Sequence, residues 1–238
     1  MHIYWTKITK IVNENSEVKT YFLEVPEGFT WIEGSHTHFA LKGFNEGEKP
    51  NRGLVRHMSI STLPEEGAIG ITTRFRPPYS EFKATLDQLE VGSEVALFKT
   101  HSNVPLRREH TSIYLLSSGV GLATFRPILL EYMKRPDSVK GIYSLNIDSS
   151  GEYLFTELFA SNPAKNVTAT FVDRRKDYYD EVENLAQDSE GIFYIVGGDD
   201  FIRENIEVLR RFGIRREQMM LDKRERQLPM FFGEVPVV

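Results

Sequence analysis

The apolar and polar positions of this chain change their period partway along. Up to about residue 107 the apolar positions come in short runs, rich in β-branched and aromatic residues and bounded by turn formers. Trp5 to Val12 and Val18 to Val25 read as two strands, with Asn13-Glu14-Asn15-Ser16 as the turn between them. Gly34 to Leu41 is a third strand, followed by a polar loop from Gly43 to Gly53. Leu54 to Ser61 and Ala68 to Phe75 flank the turn Pro64-Glu65-Glu66-Gly67, and Glu94 to Lys99 follows the turn Val91-Gly92-Ser93. Phe82, Leu86 and Leu89 share one face of a short helix over Phe82 to Leu89. Several short strands with turn signals predict an antiparallel barrel or sandwich.

Beyond residue 107 strands alternate with helices. Ile113–Leu116, Gly141–Leu145, Val167–Phe171 and Phe193–Val196 are the strands. Phe125–Lys134, Tyr153–Ala160, Tyr179–Gln187 and Asp200–Phe212 are the helices. This alternation predicts a parallel sheet with helices on both faces. Arg107-Arg108-Glu109-His110 serves as the junction, which gives two domains, 1–107 and 108–238.

Composition narrows the function. Hydrophobic residues make up 40% of the 238 and charged residues 26%, an ordinary globular balance. A formal charge of -5 argues against general nucleic-acid binding. The absence of cysteine excludes disulfides, a cysteine-ligated iron–sulfur cluster and thiol catalysis within this sequence. The N-terminal MHIYWTKITK lacks the apolar core of a signal peptide, and no apolar run is long enough to span a bilayer, so a cytoplasmic protein without a membrane span is expected.

Three stretches carry candidate chemistry. Ser118-Gly119-Val120-Gly121 closes a strand and opens a helix, and free N–H groups at such a turn suit a diphosphate. Gly197 and Gly198 close a second strand, where glycine again permits close approach by a nucleotide. The full three-glycine dinucleotide fingerprint is absent. In Arg56-His57-Met58-Ser59, Arg56 and Met58 face one way on a strand and His57 and Ser59 the other. An arginine fork suits a phosphate, and a serine hydroxyl can bond a polar ring edge. Ser80 falls at a helix N-cap, where capping or a phosphate would both use its hydroxyl. His36 and His38 share a strand face but have no nearby third ligand, so no metal site is expected.

Taken in order, these pieces resemble the ferredoxin–NADP reductase superfamily of flavin-dependent reductases over nearly the whole chain. Arg56-His57-Met58-Ser59 looks like that family's R-x-Y-S flavin motif, and Gly119-Val120-Gly121-Leu122-Ala123 like its G-T-G-I-A pyridine-nucleotide turn. The resemblance implies an antiparallel β-barrel FAD-binding domain followed by an α/β NAD(P)-binding domain. It implies that Arg56 and Ser80 hold the FAD diphosphate, that Ser59 lies near the flavin N5 as the catalytic residue, and that His57 and Met58 complete the flavin site. It further implies hydride transfer from NAD(P)H onto FAD and electron delivery to a flavodoxin or ferredoxin. The alternatives are a small acceptor, such as a ferric chelate or quinone, and a non-catalytic flavin- or nucleotide-binding module.

This sequence departs from the family pattern at several positions. Met58 stands where an aromatic usually packs on the flavin, and Lys99-Thr100-His101-Ser102-Asn103 lacks the usual G-P-x-G turn. Val196 and Asp199 depart from the family's C-G-P motif. Arg174 and Arg175 fit a 2′-phosphate site, with Tyr178 or Tyr179 as its tyrosine and Asp173 in the place of the usual serine, which implies a modest NADPH preference. Phe231-Phe232-Gly233 would cover the flavin or pack against the barrel, and packing is favoured. The basic run from Arg203 to Arg226 reads as solvated helix faces or as a docking patch for an acidic carrier.

Overall fold

A computed structural model describes residues 2–160 and 166–233. The chain divides into two compact units, Met1–Pro105 and Leu106–Val238.

The first unit is a six-stranded antiparallel sheet: β1 (Tyr4–Asn13), β2 (Val18–Leu23), β3 (Ser35–Leu41), β4 (Val55–Ser59), β5 (Ile69–Arg74) and β6 (Glu94–Ser102), ordered β4-β3-β6-β1-β2-β5. Alternation along the strands sends Ile8, Tyr21, Leu23, Phe39, Leu41, Ile71 and Leu97 into one core. Ala40, Ala96 and Phe98 join Phe44 in a smaller cluster of their own. The sheet curls so that its edges approach: the Ser61 N–H donates to the Gly70 carbonyl at 2.8 Å, and the Gly70 N–H to the Thr62 hydroxyl at 2.8 Å. Helix α1 (Glu81–Asp87) closes the core with fully buried Phe82 and Leu86, and Phe82 lies edge-on to Phe39 at 5.9 Å.

The second unit is a five-stranded parallel sheet: β7 (Thr111–Ser118), β8 (Val139–Ile147), β9 (Val167–Val172), β10 (Ile192–Val196) and β11 (Met219–Leu221), ordered β11-β10-β7-β8-β9. Helices α4 (Arg175–Leu185), α5 (Asp199–Arg211) and α6 (Leu228–Phe232) share a core with Leu116, Leu145, Phe193 and Ile195. Helix α2 (Leu122–Lys134), which packs on β7, buries Leu122, Phe125, Ile128, Leu129 and Tyr132 outside that cluster, so the sheet is covered on both faces as its near-continuous apolar strands require.

Local departures from the sequence reading have physical causes. The helix expected over Tyr153–Ala160 shortens to α3 (Glu157–Ala160), because Phe155 adopts a left-handed φ of 54°. Strand β6 runs on to Ser102 through an irregularity at Lys99, whose φ is 53°. Where the sequence reading favoured packing against the barrel, Phe231 and Phe232 are part of the core of the second unit, with Arg203 and Lys223 over the ring of Phe231 and Arg210 and Arg216 over that of Phe232. Four members of the basic run are therefore held against aromatic rings rather than simply solvated.

Candidate functional site

In the first unit, antiparallel register decides which way each residue of β4 points. Arg56 lies opposite Phe39 and Met58 opposite Thr37, whereas His57 lies opposite His38 and Ser59 opposite His36. Directly opposed residues share a face. The four-residue motif is thus split, Arg56 and Met58 facing the core and α1, His57 and Ser59 facing the other way. Met58 is half-buried against the core.

The Arg56 guanidinium sits 5.4 Å from the centre of the Phe82 ring. Its Nη1 donates to the carbonyls of Arg52, Gly53 and Val55 at 3.3, 3.2 and 2.8 Å, while Nε and Nη2 make no hydrogen bond among the described residues. One edge of the fork is anchored and the other is left to bind. Ser80 caps α1 by accepting from the Lys83 N–H at 3.4 Å, so its hydroxyl proton remains available to an acceptor.

The sequence reading missed Lys83. Its ammonium lies 4.8 Å from the centre of the Phe75 ring and donates to the Thr73 hydroxyl. Burial, and then the nearby charge of Arg56, push its pKa down to about 8. A single lysine on a seven-residue helix carries no spacing signal; only the fold shows that it stands near Arg56. Arg56 and Lys83 make a cationic corner beside the Ser80 hydroxyl.

In the second unit the chain order of the strands reverses at β7, with β8 and β9 on one side and β10 and β11 on the other. In open parallel sheets the crevice at such a reversal, beyond the carboxyl ends of the strands, is where ligands bind. Both glycine turns are there. Gly119, with φ 55°, and Gly121 follow β7, and Gly197 and Gly198 follow β10. Gly121 is held by protein contacts: a Cβ would stand 2.7 Å from the Val196 carbonyl oxygen and 3.2 Å from Val196 Cγ1. A Cβ on Gly197 would meet the Phe201 ring, whereas one on Gly198 would meet nothing within 4 Å.

Buried Asn146, also missed, fixes the first turn. Its Nδ2 donates to Ser117 Oγ at 2.8 Å and to the Gly119 carbonyl at 3.2 Å. An asparagine inside an apolar strand was the signal available in the sequence, since a buried amide must find partners.

Arg174 and Arg175 lie at the start of α4, just past β9. Arg174 pairs with Asp177 at 2.6 Å. Arg175 pairs with Glu204 of α5 and lies over the Tyr179 ring at 5.9 Å, lining a groove of about 700 Å³ between α4 and α5. Tyr178 is no candidate for a phosphate ligand: it is fully buried, and its hydroxyl donates to Asn205 at 3.0 Å. Among the described residues no helix is long and apolar enough to cross a membrane.

No family model matches the sequence, and no curated protein matches it. Solved structures do match. A flavohemoglobin from Malassezia yamatoensis with bound FAD and heme aligns over 93% of this chain with a TM-score of 0.76 at 14% identity, the chain spanning 60% of that protein's length. A ferredoxin NADP+ reductase from Neisseria gonorrhoeae with bound FAD and NADP aligns over 92% of this chain and 97% of its own, with a TM-score of 0.74 at 15% identity. A ferredoxin-NADP+ reductase from Plasmodium falciparum aligns over 92% and 95%, with a TM-score of 0.75 at 14% identity. At such identities the shared property is the fold: an antiparallel barrel-like sheet followed by a parallel-sheet α/β unit, the ferredoxin reductase-like fold.

Proposed function

We propose that this chain is a flavin-dependent oxidoreductase that takes hydride from NAD(P)H onto FAD and passes the electrons to a small redox protein, a flavodoxin or ferredoxin. The observation that carries the reading is the cationic corner formed by Arg56 and Lys83 beside Ser80 in a fold whose solved examples include FAD-bound proteins.

The residues present fit a diphosphate. Arg56 keeps Nε and Nη2 for phosphate oxygens, Lys83 gains the counter-charge that would hold it protonated, and Ser80 can donate its hydroxyl. Ser59, across the strand pair from His36, is the residue proposed to bond the flavin near N5. In the second unit, Gly119, Gly121, Gly197 and Gly198 shape the crevice proposed for the pyridine nucleotide. When bound, FAD supplies the hydride acceptance and one-electron release that no side chain of this chain can. The protein's own part is to hold the cofactor's charge, orient its ring and bring the nicotinamide close.

Visible absorption of the purified protein, followed by anaerobic addition of NADH and NADPH, tests this. A flavin spectrum that bleaches within the mixing time supports the reading, and reoxidation by flavodoxin or ferredoxin faster than by a ferric chelate supports the acceptor. A bound flavin that stays oxidised would point to a non-catalytic module.

A further inference from the structure

Four of the chain's six histidines gather on one face of three neighbouring strands, β4, β3 and β6. Register accounts for three of them: His57 lies opposite His38, and His36 two residues before it on β3 faces the same way. The fourth needs an irregularity. From His36 to His38 strand β3 advances two residues, while its partner β6 covers three, from His101 to Phe98. The extra residue is a β-bulge, with Lys99 at φ 53°. Without it, Phe98 and His101 would face opposite sides of the sheet; with it, His101 stands over His36.

The rings are close. That of His36 lies 3.8 Å from His57 and 4.0 Å from His101, His38 lies 5.1 Å from His57, and His57 lies 6.3 Å from His101. His36 is buried, His38 half-buried, and His57 and His101 are exposed, so the cluster opens to solvent. With metal–nitrogen bonds of about 2.0–2.1 Å, imidazoles around a tetrahedral ion stand on the order of 5 Å apart, centre to centre. The observed spacings bracket that value. Among the described residues no three ligand side chains already surround a common point. The exposed rings of His57 and His101 have to turn, and the imidazole torsion is broad enough to allow it.

We propose that His36, His38, His57 and His101 form a binding site for one divalent transition metal ion of the zinc class. An all-imidazole set suits zinc, nickel or copper and not magnesium or calcium, which take oxygen ligands.

The purified protein, stripped with EDTA and dialysed, is titrated with ZnCl2 by calorimetry. One equivalent should bind with micromolar affinity, with no heat from MgCl2 beyond dilution. Binding should weaken at least ten-fold between pH 7.5 and pH 5.5, because the ligands must be neutral. The double variant His57→Asn/His101→Asn should lose at least ten-fold in affinity, while His2→Asn/His110→Asn keeps it. In the unaltered protein, zinc should shift the imidazole NMR signals of the four histidines and leave those of His2 and His110 in place. Absence of saturable zinc binding, equal affinity in both double variants, or shifts at His2 and His110 instead, would overturn the proposal.

Discussion

On the proposed function, the two units would meet a phosphate-bearing ligand in opposite ways. The first uses side-chain charge: Arg56 and Lys83, half-buried and near each other at the start of a short helix. The second uses bare backbone: two glycine turns at the strand-order reversal, with acidic rather than basic residues, Asp199 and Asp200, in the first turn of α5. The charged site is destabilising until its ligand arrives, since two like charges share a half-buried corner. The glycine site carries no such penalty and depends on how closely neighbouring backbone packs. Substitutions should therefore fail differently in the two units: through ligand affinity in the first, through packing in the second.

The largest effect should come from Gly121→Val. Its side chain would press on the Val196 carbonyl and displace β10, costing about 3 kcal/mol, the upper end of the usual range for overpacking. Urea denaturation followed by tryptophan-independent far-UV signal should show this loss. Gly198→Ala sharpens the contrast. A methyl group there meets nothing within 4 Å, so stability should stay within about 0.5 kcal/mol of wild type. A raised KM for NAD(P)H at unchanged stability would then report the approach of a ligand rather than of protein.

In the first unit Arg56→Ala should leave the fold intact and weaken FAD roughly ten-fold or more, since charge-assisted bonds to phosphate contribute about 1.5–3 kcal/mol. Fluorescence titration of the flavin-free protein measures it, and unchanged affinity would remove Arg56 from the site. Lys83 gives a pH test. Its amine titrates ordinarily at 10.5 and here at about 8. Between those values the unfolded chain holds a proton that the folded chain has lost, so this residue makes the flavin-free protein more stable as pH rises from 8 towards 10.5. Below pH 8 the cost of a charged, half-buried amine is present in full. Lys83→Met should thus be more stable than wild type at pH 7, by about 1 kcal/mol after allowance for its partial exposure. That advantage should shrink by pH 10. The same variant should bind FAD more weakly, so stability and affinity move in opposite directions.

How much of this was legible in the sequence follows the same division. Strands β1 to β10 announce themselves by β-branched and aromatic runs between turn formers, β6 as far as Lys99, and the two glycine turns by their place at strand ends. Strand β11 is three residues, Met219–Leu221, too short to show a period. The first turn of α4, Arg175-Lys176-Asp177, is all charge, so an apolar period finds the helix only from Tyr179 on. Lys83 and His101 were not legible for a different reason. Each depends on a neighbour distant in the sequence: Lys83 on Arg56, and His101 on His36 across a bulge that no glycine marks. His36 and His38 alone offered two ligands; pairing of the strands supplied the other two.

The smallest expected effect concerns the choice of nucleotide, where charge enters the second unit. Arg174 and Arg175 are three-quarters and more than two-thirds exposed and are paired with Asp177 and Glu204. Exposed pairs contribute about 0–1 kcal/mol each, so replacing both arginines should change stability by less than about 1 kcal/mol. A 2′-phosphate offers a stronger partner, because a charge-assisted bond to phosphate is worth about 1.5–3 kcal/mol. The net gain from exchanging carboxylate for phosphate is then on the order of 1 kcal/mol, less whatever Asp173 takes back by repulsion. On this balance the protein should prefer NADPH a few-fold, and Arg174→Ala/Arg175→Ala should lower kcat/KM for NADPH by roughly three- to ten-fold while sparing NADH. Steady-state rates with both nucleotides decide it. A wild type that prefers NADH, or a double variant that loses both nucleotides equally, would mean that the ion pairs hold the arginines away from the phosphate, Arg175 towards α5, and that the carboxylate of Asp173 at the end of β9 sets the preference.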